Sequence, residues 1–293
     1  MGTRVSEKSW FMEKVMEDII DGAPPTIIIA GPRRRGKTWL SLKLAEEIVK
    51  RCHQSKYAYR DKGMKTEKKY DLRDAQFDVP KQVLYSLRTI PQLLSPPPPL
   101  GIGLPYGSVM ISDETSVSAG SLNFNSPVVK RMAELHDTSA YRLIVWILNV
   151  PGSVLRAAYQ LRETAEYFMQ MQARGVAKVY SANPSVTGRV WVKTIGWLGY
   201  KNPFTKRVVY RVEPPSEETL RIYNDLKDFN FGRLLRRSEQ RLAELAQQEG
   251  QLGPYDFPED YADLKGNIMM MPKERKHKIP TEDLEEDDEG VEG

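Results

Sequence analysis

Thr26-Ile27-Ile28-Ile29-Ala30-Gly31-Pro32-Arg33-Arg34-Arg35-Gly36-Lys37-Thr38 is the stretch that decides the fold. Its first five residues are an apolar, β-branched run and read as a buried strand. Gly31 to Thr38 has the form G-x-x-x-x-G-K-[ST], the phosphate-binding loop called Walker A. Behind it, Trp39 to Val49 carries apolar residues at helical spacing. Strand, glycine loop and helix is the order that phosphate binding requires. Glycine lets the backbone turn its N–H groups inward, and the helix N-terminus adds partial positive charge. Lys37 reaches for β- and γ-phosphates, and Thr38 offers a hydroxyl to Mg²⁺. The loop residues Gly31, Pro32, Arg33, Arg34, Arg35, Gly36, Lys37 and Thr38 form the expected ATP-binding set. The three arginines contact phosphates, DNA or an acidic neighbour, or simply point to solvent.

Outward from this loop, further strands alternate with helices, which predicts a parallel, helix-covered sheet of the α/β class. Residues 6–21 read as an amphipathic helix, ended by Gly22 and Pro24-Pro25. Lys56 to Lys69 is basic and aperiodic and reads as an exposed loop. Ala75 to Val79 reads as a short strand, with a helix from Pro80 to Leu87. Pro96 to Pro99 form a stiff connector. Ser108 to Ser112 and Arg142 to Asn149 read as buried strands, with a helix at Pro127–His136 between them and helical character from Val154 to Met171. From Ala177 to Val212 apolar and polar residues alternate between turn signals, which predicts an appended antiparallel meander at about 177–212. Glu217–Leu226 and Gly232–Gln247 read as helices. The expected organisation is an N-terminal helix in 1–23, a P-loop domain in 24–230, a basic helix in 231–249, and a disordered tail in 250–293.

Asp113-Glu114 follows the apolar run Val109 to Ile111, the form of a Walker B motif. One carboxylate at a strand end holds Mg²⁺, and the next orients or deprotonates water. This assigns Asp113 to the metal and Glu114 to general base. Asn149 ends the next strand, where a polar side chain senses the γ-phosphate; asparagine also suits the turn that begins there. A cation from a neighbouring subunit stabilises charge in phosphoryl transfer. Arg142 is the expected finger because it opens the strand ending at Asn149; Arg131, Arg156 and Arg162 are the other candidates.

The net charge is +4, but eight acidic residues lie within 282–293, leaving 43 basic against 31 acidic residues, or +12, on the rest. A basic body suits a polyanionic partner or is an ordinary solvated surface. Lys273 to Lys278 offers nonspecific backbone contacts or is a charged tail. No apolar stretch reaches the ~20 residues of a membrane span. A single cysteine, Cys52, excludes an internal disulfide, and three scattered histidines support no metal cluster. The reading is a cytoplasmic protein, host-cytoplasmic and virion-associated if viral.

Together, Gly31–Thr38, Val109–Glu114, Arg142 leading to Asn149, and Val150-Pro151…Arg156…Arg162 resemble the HerA/FtsK superfamily of additional-strand P-loop ATPases, which pump DNA. The last segment is similar to the loop and helix after the sensor strand in viral genome-packaging ATPases and in the zonula-occludens-toxin-like ATPases of filamentous phages. Pro214-Pro215…Tyr223…Lys227 is similar to the end of such domains. The resemblance covers about residues 24–230. It implies a hexameric ring, ATP at subunit interfaces, double-stranded DNA as substrate and a capsid or portal partner. Asn149 departs from the glutamine usual at the sensor position, and the toxin-like proteins carry a membrane span that this chain lacks. The expected function is an ATP-hydrolysing DNA translocase that packages or transfers a viral or plasmid genome. A nucleotide-gated adaptor and a P-loop kinase are the alternatives.

Overall fold

The computed structural model describes residues 10–85, 89–113, 134–135, 137–153, 164–184, 190–201, 205 and 208–248. Contacts divide the chain into two compact units, Met1–Gly232 and Arg233–Gly293. The first unit holds the sheet. In the second, the described residues are the closing turns of a helix.

Strand β1, Thr26–Gly31, is buried at all six positions. It lies between β6, Val145–Pro151, and β7, Tyr167–Ala173, and runs parallel to both. A strand with parallel neighbours on both edges and helices on its faces meets no water. That is why its sequence is continuously apolar rather than alternating. Ile27 and Ile29 enter one core with Phe11 and Val15 of α1, Trp10–Ile20, and with Leu40 and Ile48 of α2, Lys37–Ser55. Ile28 and Ala30 enter the other with Met110, Trp146 and Leu148. Truncating one such side chain to alanine costs about 2–5 kcal/mol.

The full sheet has seven strands in the order β4-β5-β6-β1-β7-β8-β9. Strand β4 is Val83–Leu84 and β5 is Val109–Ser112. Strands β4, β5, β6, β1 and β7 are parallel. Strands β8, Val176–Pro184, and β9, Val190–Leu198, extend the sheet antiparallel, each to its predecessor. Two small ribbons complete the strands: β2, Tyr57–Arg60, with β3, Lys68–Asp71, and β10, Tyr200–Lys201, with β11, Val208–Tyr210. The fold is therefore α/β, a largely parallel sheet flanked by helices with an antiparallel extension.

Several expectations are corrected. Lys56–Lys69 is not an irregular loop but carries the β2–β3 hairpin, with Ala58 fully buried beneath it. Ala75–Val79 forms no strand. Its neighbourhood is organised by the buried Gln82, whose amide donates to the carbonyls of Gln76 (2.8 Å) and Val109 (2.7 Å). The helix expected from Pro80 to Leu87 is one turn, α3, Val79–Gln82, and the edge strand falls at Val83–Leu84. The single-turn helix α4, Ile90–Leu93, precedes the prolines. Tyr167–Met171 is strand, not helix: Tyr167, Met169 and Met171 point into one core and Phe168 into the other. That places the antiparallel reversal at β7, upstream of Ala177. Glu217–Leu226 and Gly232–Gln247 belong to one continuous helix, α5, Glu217–Gln248. Most of the helix expected at Pro127–His136, and residues 154–163 and 250–293, lie outside the described residues. No helix among the described residues is long and apolar enough to cross a membrane. Cys52 is buried, and burial pushes its thiol up to about 12.

Candidate functional site

Parallel strands bring their carboxyl ends to one edge, and three of them build the site there. Ile29 of β1 pairs with Asn149 of β6, and Ser112 of β5 pairs with Leu148. Asp113, one residue past β5, thus stands beside Asn149 and across from the phosphate loop. Such an edge is where open α/β sheets bind ligands.

The loop has the backbone its glycines permit. Gly36 sits at φ 84°, left-handed, and caps α2 with no side-chain bond to the helix N-terminus. A Cβ there would meet Cγ of Arg174 at 2.9 Å. Gly31 lies so close to β7 that a Cβ would come 2.7 Å from that of Met171. The Lys37 ammonium arches back over the loop, donating to the carbonyls of Gly31 (2.9 Å) and Pro32 (3.1 Å). Pro32, Arg33, Arg34 and Arg35 are exposed, and Arg34 also adopts positive φ, 63°.

Four side chains converge on or beside Asp113, which is only 8% exposed. The Thr38 hydroxyl stands 3.1 Å from Oδ1 and 3.2 Å from Oδ2. The Asn149 amide donates to Oδ1 at 3.0 Å. The Tyr223 hydroxyl, from α5, donates to Oδ2 at 2.7 Å. The Ser41 hydroxyl, one turn into α2, lies 2.7 Å from Asn149 Oδ1 and 3.0 Å from the Lys37 carbonyl. That contact fixes the Asn149 amide with its NH₂ toward Asp113. Burial first, then the negative charge of Asp113 and the Tyr85 hydroxyl, raise the Tyr223 pKa above the usual phenol value, so the hydroxyl stays a donor.

The structure thus brings together Lys37, Thr38, Asp113 and Asn149. It does not bring Arg142 to them. Arg142 lies in the turn before β6, at the amino end of a strand whose carboxyl end carries Asn149. It is 8% exposed, donates from Nη2 to the Leu104 carbonyl (3.2 Å) and stacks over Tyr106 with its guanidinium carbon 4.9 Å from the ring centre. A finger must reach out of its own subunit, so this buried arginine is corrected to a structural one. Glu114, Arg131, Arg156 and Arg162 lie outside the described residues.

Sequence reasoning missed Ser41 and Arg174 and gave Tyr223 no chemical role. Ser41 was legible as the hydroxyl one turn beyond Lys37 on a buried helix face. Tyr223 sits in the apolar row Leu220, Tyr223, Leu226, where a phenol among aliphatics signals a buried hydroxyl that needs an acceptor. Arg174, in the β7–β8 turn, lies against Gly36 and over Trp39, 5.9 Å from the ring centre. Only the pairing of β7 with β1 puts it there.

The oxygen set fits a hard divalent cation. A carboxylate and an alcohol within 3.2 Å of each other, beside an ammonium-bearing glycine loop, are donors of the kind Mg²⁺ takes when it also binds phosphate oxygens. Among the described residues no cluster of three His, Cys, Asp or Glu offers another metal site.

This is the P-loop NTPase fold. No protein-family model matches the chain, and no curated protein matches it. Among solved structures it is similar to the genome-packaging NTPase B204 of Sulfolobus turreted icosahedral virus 2 in complex with ATP-gammaS. That match has 10% identity and a TM-score of 0.32, over 58% of this chain and 96% of that one. The same NTPase with AMPPCP matches at 10% identity and a TM-score of 0.31, over 58% and 98%. B204, the DNA-packaging ATPase of Sulfolobus turreted icosahedral virus, matches at 12% identity and a TM-score of 0.30, over 58% and 98%.

A pocket of about 250 Å³ opens at the opposite, amino edge of the sheet, lined by Lys14, Asp18, Glu166 and Tyr167 among others. There Tyr167 donates to Asp18, and Glu166 accepts from the Thr26 N–H at 2.6 Å. Removal of the Glu166 carboxyl from water raises its pKa to about 7, partly offset by the Thr26 bond.

Proposed function

We propose that this chain is an ATP-hydrolysing DNA translocase of the HerA/FtsK class that works as a ring, ATP lying at its subunit interfaces, to package or transfer a genome. The observation that carries the nucleotide half is the convergence of Thr38, Asn149 and Tyr223 on Asp113 beside the Lys37 loop. The resemblance of the motifs in residues 24–230 and the basic body support the DNA half.

In this reading Gly31 to Thr38 wrap the triphosphate with backbone N–H groups, and Lys37 exchanges its loop carbonyls for β- and γ-oxygens. Thr38 and Asp113 hold Mg²⁺, which when bound neutralises phosphate charge. Glu114 orients and deprotonates the attacking water. Asn149, clamped by Ser41, reports the γ-phosphate to β6. The finger comes from one of the remaining arginines, Arg131, Arg156 or Arg162. A capsid or portal protein docks the ring.

The test is the ATPase rate with and without double-stranded DNA, in the wild type and in Lys37→Ala. The expected result is hydrolysis stimulated by duplex, with both basal and stimulated rates lost in Lys37→Ala. Hydrolysis that no nucleic acid accelerates would refute translocation and leave a nucleotide-gated adaptor. Unchanged hydrolysis in Lys37→Ala would refute the site.

A further inference from the structure

The β2–β3 hairpin has no part in the nucleotide site. It leaves the far end of α2, at the amino edge of the sheet. Arg60 ties it to the body there, donating from Nη2 to the carbonyls of Gly22 (3.3 Å), Ala140 (3.2 Å) and Tyr141 (3.3 Å). The same guanidinium lies over the rings of Tyr70 and Tyr141. The hairpin is therefore a held feature.

Its two faces differ. Antiparallel register pairs Ala58 with Tyr70 on the inner face, where Ala58 is buried and Tyr70 meets Tyr106 edge-on. It pairs Tyr57 with Asp71 and Tyr59 with Lys69 on the outer face. The Lys69 ammonium sits 3.7 Å from the centre of the Tyr57 ring, and Lys62 sits 5.6 Å from that of Tyr59. Residues 56–73 contain seven Lys or Arg and three Asp or Glu. Two of the three acids are engaged locally. Asp71 is chelated by Arg73, whose hydrogen bonds hold the carboxyl down at about 2. Glu67 accepts from the Gly63 N–H at 2.6 Å, closing the turn. Lys62, Lys65, Lys68 and Lys69 are all exposed, and among the described residues no carboxylate lies in ion-pair range of them.

We infer that the outer face and tip of this hairpin, through Lys62, Lys65 and Lys69, form the surface that grips the phosphate backbone of double-stranded DNA. The inference rests on the translocase reading and gives it a contact surface. Exposed lysines clustered on one hairpin, with Asp71 and Glu67 engaged within it and tyrosine rings beside Lys69 and Lys62, match a polymer of evenly spaced negative charge. Contacts of this kind bind without sequence preference and release counterions, so affinity falls steeply with salt.

The experiment uses the full chain and a fluorescently labelled duplex of arbitrary sequence, with binding followed by anisotropy between 50 and 200 mM salt. Three proteins are compared: the wild type; the triple variant Lys62→Ala, Lys65→Ala, Lys69→Ala; and a charge-matched control, Lys50→Ala, Lys193→Ala, Arg221→Ala, at exposed positions off the hairpin. Thermal unfolding confirms that the variants are folded. Losing three phosphate contacts lowers the slope of log K against log salt by about 3 and weakens binding roughly 10²-fold near 0.1 M salt. The control should keep the wild-type slope. Equal losses in triple variant and control would mean that net charge, not the hairpin, binds DNA. Wild-type binding that the triple variant reproduces would overturn the hairpin and leave the translocase reading standing. A wild type that binds no duplex would overturn both.

Discussion

Replacing Tyr223 with phenylalanine removes one hydroxyl and nothing else. The ring still fills its place against Leu220 and Leu226, so no cavity opens. What is lost is the 2.7 Å bond to Asp113 Oδ2, the shortest of the bonds that carboxylate accepts, together with the contact to the Tyr85 hydroxyl. A hydrogen bond to a charged group contributes about 1.5–3 kcal/mol. Asp113 is nearly closed to water, so solvent cannot replace the lost donor. We expect Tyr223→Phe to destabilise the chain by about 2 kcal/mol at pH 7. For a unit of this size that lowers Tm by roughly 4–8 °C. The measurement is thermal unfolding of the wild type, Tyr223→Phe, Asp113→Asn and the double variant, read as a double-mutant cycle. A coupling of about 1–2 kcal/mol is expected. A coupling within about 0.3 kcal/mol of zero, with the single variant as stable as the wild type, would show that the phenol does not hold the carboxylate.

Two further outcomes follow from other parts of the structure. Gly36→Ala forces a Cβ to within 2.9 Å of Arg174 at a left-handed φ of 84°; nucleotide affinity should fall at least about tenfold, by titration with a fluorescent ATP analogue, because the strain distorts the loop itself. Glu166 has its carboxyl pKa raised from 4.5 to about 7 in the folded chain. Native protein therefore binds the extra proton between those values, and stability falls as pH rises from 4.5 through 7. The residue surface is open enough for water to screen the effect, so the change is about 1 kcal/mol. Glu166→Gln should flatten that slope in denaturant titrations at pH 5 and pH 8, and an unaltered slope would assign it elsewhere, Asp18 being the nearest candidate.

The central strands were legible because burial on both faces leaves a sequence no choice. Ile27, Ile28 and Ile29, and likewise Leu143 to Leu148, are apolar on every side. The residues that the structure gathers into the candidate site were legible where they are local in sequence, as in Gly31 to Thr38, or terminate such a strand, as in Asp113 and Asn149. Reading failed where the environment is set from a distance. Tyr167 to Met171 spells a strand only once β1 is known to lie beside it, since Met and Gln serve a helix well and Tyr and Phe are tolerated there. The β2–β3 hairpin hides its period because its outer face carries tyrosine and lysine in place of a clean polar row. Gln82 organises its surroundings through a side-chain amide, which no backbone pattern announces. Arg142 was misread because strand β6 starts three residues later than its apolar run suggested, at Val145. That left the arginine folded under a turn.

Helix α2 begins at the phosphate-loop lysine and ends one residue before the hairpin. Its 19 residues make a rod about 28 Å long with no break. A tilt of about 5° at the lysine end swings the other end by roughly 2.4 Å, on the order of a hydrogen bond's length. The candidate nucleotide site at one margin of the sheet and the lysine-bearing hairpin at the other are therefore joined by a single stiff rod.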